Sequence, residues 1–133
     1  MTCRWLVLSV ALCGIAGPAH AADNPAQPAP TQPVVRLAEL RIDPSQLELY
    51  RAALREEIEA SIRLEPGVLT LYAVSVKGDP AQVRIFEVYA DAAAYESHLQ
   101  TSHFKKYKTG TRGMVKSLVL VETDPIVLGA KAK

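Results

Sequence analysis

Apolar and polar positions repeat with two different periods along this chain, and the switches between them outline four strands and two helical regions. Val34 to Ile42 alternates and is rich in β-branched residues, which predicts a first strand. Asp43-Pro44 then offers a helix N-cap followed by proline at the first helical position. Leu47, Tyr50, Leu54, Ile58 and Ile62 recur at spacings of three and four, the stripe of a long amphipathic helix. Arg55, Glu59 and Arg63 fall on its outer face, spaced for i,i+4 ion pairs. Pro66 excludes helix at Glu65, and Gly67 supplies a turn. Val68 to Val76 reads as a second strand, Lys77-Gly78-Asp79-Pro80 as a hairpin turn, and Val83 to Tyr89 as a third strand. Asp91 is placed as the N-cap of an Ala-rich helix in which Tyr95, His98 and Leu99 share one face. Met114 to Thr123 completes the pattern as a fourth strand.

The order βαββαβ predicts an α+β, ferredoxin-like domain with an antiparallel sheet. On the second strand both alternating sets are apolar: Val68, Tyr72, Val74 and Val76 against Leu69, Leu71 and Ala73. The fourth strand is similar, with Val115, Val119 and Val121 opposite Leu118 and Leu120. Helices on one face leave the other set in water, and a second copy of the chain is the simplest cover. The pattern therefore predicts a homodimer whose two sheets face each other.

The ends read differently from this core. Arg4, the apolar run Trp5 to Ala16 and Ala19-His20-Ala21 have the layout of a signal peptide, with cleavage expected after Ala21. The apolar run is short and is ended by Gly17-Pro18, which disfavours a membrane span, and an uncleaved membrane anchor is the alternative reading. Residues 22–33 form a Pro/Ala/Gln linker, 34–124 the folded domain and 125–133 a tail. The expected location is periplasmic or secreted. Both cysteines, Cys3 and Cys13, lie in the leader, so the mature chain carries no thiol for a disulfide, a cluster or a nucleophile. The 15 basic residues lose Arg4 with the leader and then match the 14 acidic ones, which argues against a nucleic-acid partner.

Two histidines remain, His98 and His103. Five residues apart on a continuous helix, they would point about 140° from each other. A break at Thr101-Ser102, where either hydroxyl can cap a new helix, would let both imidazoles reach one cleft. The spacing shows no zinc-like ligand cluster, and a facial triad would need a carboxylate such as Glu87 or Glu96 beside both histidines. No phosphate loop, dinucleotide fingerprint or nucleophile elbow occurs, so flavin, nicotinamide and metal are all disfavoured and no cofactor is expected. What remains is an apolar cavity with a proton-transfer residue, suited to an aromatic substrate. His98 and His103 are the candidate catalytic groups, although a histidine on an apolar helix face is ordinarily a satisfied core residue. Tyr72, Phe86, Glu87, Tyr89, Tyr95 and Phe104 are the candidate substrate-binding residues, with plain core packing, and for Glu87 an ion pair with Arg36 or Arg41, as the alternative. Lys105, Lys106, Lys108, Arg112 and Lys116 form a basic run, read as a solvated face or as a site for an anion.

Three segments in order, Glu65-Pro66-Gly67-Val68-Leu69, Glu87-x-Tyr89 and His98-Leu99-Gln100-Thr101-Ser102-His103-Phe104, resemble the signature of the antibiotic biosynthesis monooxygenase family. The similarity runs from about Val34 to Glu122 and is nearest to the small quinol monooxygenases. It implies a dimeric α/β barrel and cofactor-free oxygenation of quinols or phenolic polyketides by dioxygen. Haem-degrading relatives use Asn, Trp and His where this chain has Leu40, His98 and Lys108, so haem degradation is disfavoured. A dimer that only binds an aromatic or lipid-like ligand, and a proton-shuttling isomerase, are the competing readings.

Overall fold

The computed structural model describes residues 32–131. The expected signal peptide, and all but the end of the expected linker, lie outside them. The elements run β1 (Val34–Ile42), a 3-10 turn (Pro44–Gln46), α1 (Leu47–Leu64), β2 (Val68–Val76), β3 (Asp79–Tyr89), α2 (Ala92–Gln100), α3 (Ser102–Thr111) and β4 (Val115–Thr123). Every neighbouring pair in the sheet is antiparallel, in the order β2-β3-β1-β4. With the helices packed on one side, this is the ferredoxin-like arrangement. β3 starts at Asp79 rather than Val83, because only Lys77 and Gly78 are needed to reverse the chain and Gly78 takes a φ of 88°.

Two bulges revise the expected faces of the sheet. Val68 pairs with Tyr89 and Thr70 with Val88, so Leu69 is an extra residue on β2. The phase slips by one, and Val68 and Leu71 both turn toward the helices while Leu69, Tyr72 and Val74 lie on the opposite face. On β4, Val115 pairs with Ile42 and Ser117 with Arg41, which makes Lys116 the extra residue. Val115 therefore joins Leu118 and Leu120 on the helix side rather than Val119 and Val121. The bulge also releases Lys116 to pair with Asp43 at 2.7 Å.

The main core gathers Ala38, Leu40 and Ile42 of β1, Val83 and Ile85 of β3, and Tyr50 and Leu54 of α1. A second cluster of Val68, Leu71 and Tyr89 packs against Ile58, Ala94 and Tyr95. Each fully buried aliphatic or aromatic side chain here contributes about 1.5–3 kcal/mol. The buried stripe of α1 departs from the expected one in its last turns. It runs Tyr50, Leu54, Glu57, Ser61, whereas Ile62 is half exposed. The spacing of four, three and four keeps one helical face continuous, and that face ends in polar groups because the site described below lies beneath it.

Gly67 explains why the chain turns where it does. A Cβ built there would sit 2.5 Å from the Cβ of Ala94, on the first turn of α2. The same close approach lets the Gly67 carbonyl accept from the Ala90 amide at 2.9 Å. Gly67→Ala should cost about 1–3 kcal/mol through this overpacking. Urea denaturation measures it, and unchanged stability would mean that the contact is looser than described.

Candidate functional site

The end of α1, the end of α2 and the start of α3 converge on one carboxylate. Glu65 terminates α1, its amide returning to the Ser61 carbonyl at 2.9 Å, and Pro66 forces the chain onward into β2. Asp91 caps α2 by accepting from the Ala94 amide at 2.8 Å, which points His98 inward two turns later. Thr101 ends α2 and opens α3, its hydroxyl accepting from the Phe104 amide and donating to the His98 carbonyl. This is the break expected between the two histidines. The corner swings His103 back to the side on which His98 lies.

Both imidazoles meet Glu65. His98 Nδ1 lies 3.0 and 3.2 Å from the two carboxylate oxygens, and His103 Nε2 lies 2.5 Å from Oε1. His98 is 3% exposed. Its Nε2 makes no hydrogen bond and faces the buried Glu57 carboxylate at 3.7 Å. Ser61 donates to Glu57 at 2.8 Å. Tyr89 and Phe104 flank the His98 ring, with centroids at 5.4 and 4.7 Å. Glu65 is a member of the site that the candidate list lacked, as are Glu57 and Ser61. A carboxylate and a hydroxyl at i,i+4 inside an otherwise apolar stripe was the available signal.

The expectation that no ligand cluster exists is corrected here. The donor atoms of Glu65, His98 and His103 all lie within 4.8 Å of one another. Two histidines and one carboxylate are a donor set able to hold a first-row divalent cation such as zinc or iron(II). The carboxylate is Glu65, not Glu87 or Glu96, because the αβ corner rather than the sheet supplies it. As they stand, the three satisfy one another by hydrogen bonds.

A cavity of about 900 Å³ opens beside this junction, between α2, α3 and the sheet. Its apolar wall includes Leu40, Ile85, Leu99, Phe104, Leu118 and Leu120, and His98 lies on its edge. Tyr89, Tyr95 and Glu87 also line it. Tyr89 donates to Glu87 at 2.9 Å. Glu87 forms no ion pair with Arg41, which binds Asp79 at 2.6 Å. Arg36 lies across the ladder from Glu87 and turns to Glu122 instead. Tyr72 and Phe86 are not in this cavity. They pair across β2 and β3 on the open face of the sheet, away from the helices. His98, His103, Glu87, Tyr89, Tyr95 and Phe104 are thus brought together, and Tyr72 and Phe86 are not.

The profile described as antibiotic biosynthesis monooxygenase matches residues 33–110. This chain belongs to the antibiotic biosynthesis monooxygenase family. A crystal structure from Bacteroides thetaiotaomicron, assigned to the same family by name, is 56% identical, covers 77% of this chain and 97% of its own, and superposes with a TM-score of 0.73. Structures from Caulobacter crescentus (18% identical, 74% of this chain and 93% of that one, TM-score 0.69) and Nitrosomonas europaea (20%, 71% and 99%, 0.67) share the fold. No curated protein matches. Membership of the antibiotic biosynthesis monooxygenase family agrees with the order of elements and with the three sequence segments that carried the resemblance.

The carboxylates of the site titrate in opposite senses. Burial pushes Glu65 up, but hydrogen bonds from His103 and His98 outweigh it and hold the group below its ordinary 4.5. Burial dominates at Glu57 and at Glu87 and raises both. A depressed carboxyl gives stability that is present above its unfolded value and lost as pH falls through the folded one. A raised carboxyl does the reverse. Glu65→Gln should therefore destabilise the fold at pH 7 and lose that effect as pH falls below 4.5 and through the depressed folded value, whereas Glu57→Gln should be near neutral or stabilising at pH 7. Thermal unfolding from pH 3 to 8 measures both. Equal losses in the two variants would contradict the assignment.

Proposed function

We propose that this protein is a cofactor-independent monooxygenase that oxidises quinol or polyphenolic aromatic substrates with dioxygen, acting as a homodimer exported after cleavage at Ala21. The observation that carries the reading is a buried histidine at the edge of an apolar cavity, with one nitrogen fixed and the other unbonded. Glu65 accepts from Nδ1–H, which assigns the proton to that nitrogen and leaves the Nε2 lone pair free. Nε2 then takes the phenolic proton, and the Glu65 carboxylate held on Nδ1 favours the imidazolium that results. His103 shares Glu65 and holds the carboxylate in place.

A deprotonated hydroquinone is electron-rich enough to reduce dioxygen directly. Hydroquinone plus dioxygen gives hydroxyquinone plus water, so the substrate supplies all four electrons and no further reductant is needed. The enzyme's contribution is to orient the ring against Tyr95 and Phe104, remove the proton and exclude water. Metal-stripped mature protein should consume oxygen with a soluble hydroquinone. His98→Ala should lower that rate by roughly 10²-fold, the usual scale of one acid–base group. An oxygen electrode reads it, and an unchanged rate removes His98 from the mechanism. Saturable binding with no uptake by wild type would favour a ligand-sequestering dimer.

The open sheet face supports the dimer. Tyr72 is 65% exposed, Val74 61% and Val119 55%, with Leu69, Phe86 and Val121 beside them. A contiguous apolar surface of this kind on a folded domain is a contact face. Among the described residues no helix is long and apolar enough to cross a membrane. Val119→Glu should shift the sedimenting species from dimer to monomer, and a wild-type monomer would refute the assembly.

A further inference from the structure

We infer that the cavity takes an aromatic molecule bearing an anionic group, a hydroxyarene carboxylate, and that Arg36 reads the anion. The inference rests on the cavity being the substrate site and specifies its substrate class. Arg36 rises from β1 on the helix side of the sheet, two residues before Ala38, and lines the cavity at the end nearest Tyr95 and Glu87. Its guanidinium carbon lies 4.0 Å from the centroid of the Tyr95 ring, which orients the group without neutralising it. One terminal nitrogen donates to Glu122 at 3.1 Å, but the Glu122 side chain is 80% exposed and water screens the pair. The Nε–H is buried and has no partner at all. A buried charged donor left unsatisfied is costly, and an acceptor on the ligand removes that cost.

The balance of charge along the walls points the same way. Arg36, Lys108, Arg112 and Lys116 line the cavity against a single carboxylate, Glu87, which burial holds toward its neutral form. Lys116 is answered by Asp43. Lys108 and Arg112 form no ion pair with any described residue. An apolar chamber with unpaired positive charge at its rim, and at its end an arginine whose one ion pair is solvent-screened, suits an amphiphilic anion better than a neutral quinol. A planar guanidinium whose Nε and terminal N–H groups form a fork matches a carboxylate in particular.

Matched probes isolate the charge: 2,5-dihydroxybenzoate and its methyl ester, bound to the full mature protein by calorimetry under nitrogen. Wild type should bind the acid about tenfold more tightly than the ester, the scale of one charge-assisted hydrogen bond. Arg36→Met should reduce that preference to about twofold or less, and Arg36→Lys should restore part of it. Equal binding of acid and ester by wild type, no binding of either, or a preference that survives in Arg36→Met overturns the inference. The wild-type comparison stands even where a variant folds poorly. Because oxygen is absent, the result is independent of turnover. An acid preference without oxygen uptake in air would refute the oxygenase reading and leave the anion site intact.

Discussion

Glu65 occupies the point where a helix ends, a strand begins and two further helices turn toward each other, and its ionised carboxylate accepts from both histidines of the domain. Among the described residues no other side chain hydrogen-bonds to both α2 and α3 from the end of α1. The part-buried charge is tolerable because two ring nitrogens meet it within hydrogen-bond distance, and the rings are ordered because the charge is there. Around this junction the surrounding features have a common purpose. Pro66 stops the helix so that Glu65 faces inward, Gly67 brings the strand start against Ala94, and Thr101 folds the second helical region back on itself.

The carboxylates nearby show how one small site separates its protonation states. Glu65 is stabilised as an anion by partners, while Glu57 and Glu87 are pushed toward the neutral acid by burial. Tyr89 is raised above its ordinary value by burial and by the neighbouring Glu87. His98 therefore sits between a firm acceptor on one nitrogen and a weaker one on the other. That asymmetry is what a proton-accepting imidazole requires, and it follows from packing alone.

Much of the architecture was legible in the chain. The four strands, the Asp43 and Asp91 caps and the helix break at Thr101 followed from local chemistry. So did the inward face of Tyr95, His98 and Leu99. The faces of β2 and β4 were not, because each contains a bulge at Leu69 or Lys116 and alternation carries no mark of an extra residue. That slip removed Tyr72 from the cavity, and Phe86 follows it because the two are paired. The last turns of α1 were misread because Ile62 fits the helical period, while the buried Glu57 and Ser61 look from sequence like surface positions. Glu65 was visible as the residue before a proline and as the first of a family-like segment, with no sign of its role in the site. Its partners lie 33 and 38 positions away, and no local rule reaches that far.

β4 is an edge strand, and it contributes Leu118 and Leu120 to the cavity while standing apart from the Glu65 junction. One rim of the chamber is thus built from the sheet's margin, and the proton-handling groups are built from the opposite flank. Side chains on that margin can change in size or polarity with little consequence for the histidines. A scaffold divided in this way lets the shape of the chamber vary independently of the Glu65 junction.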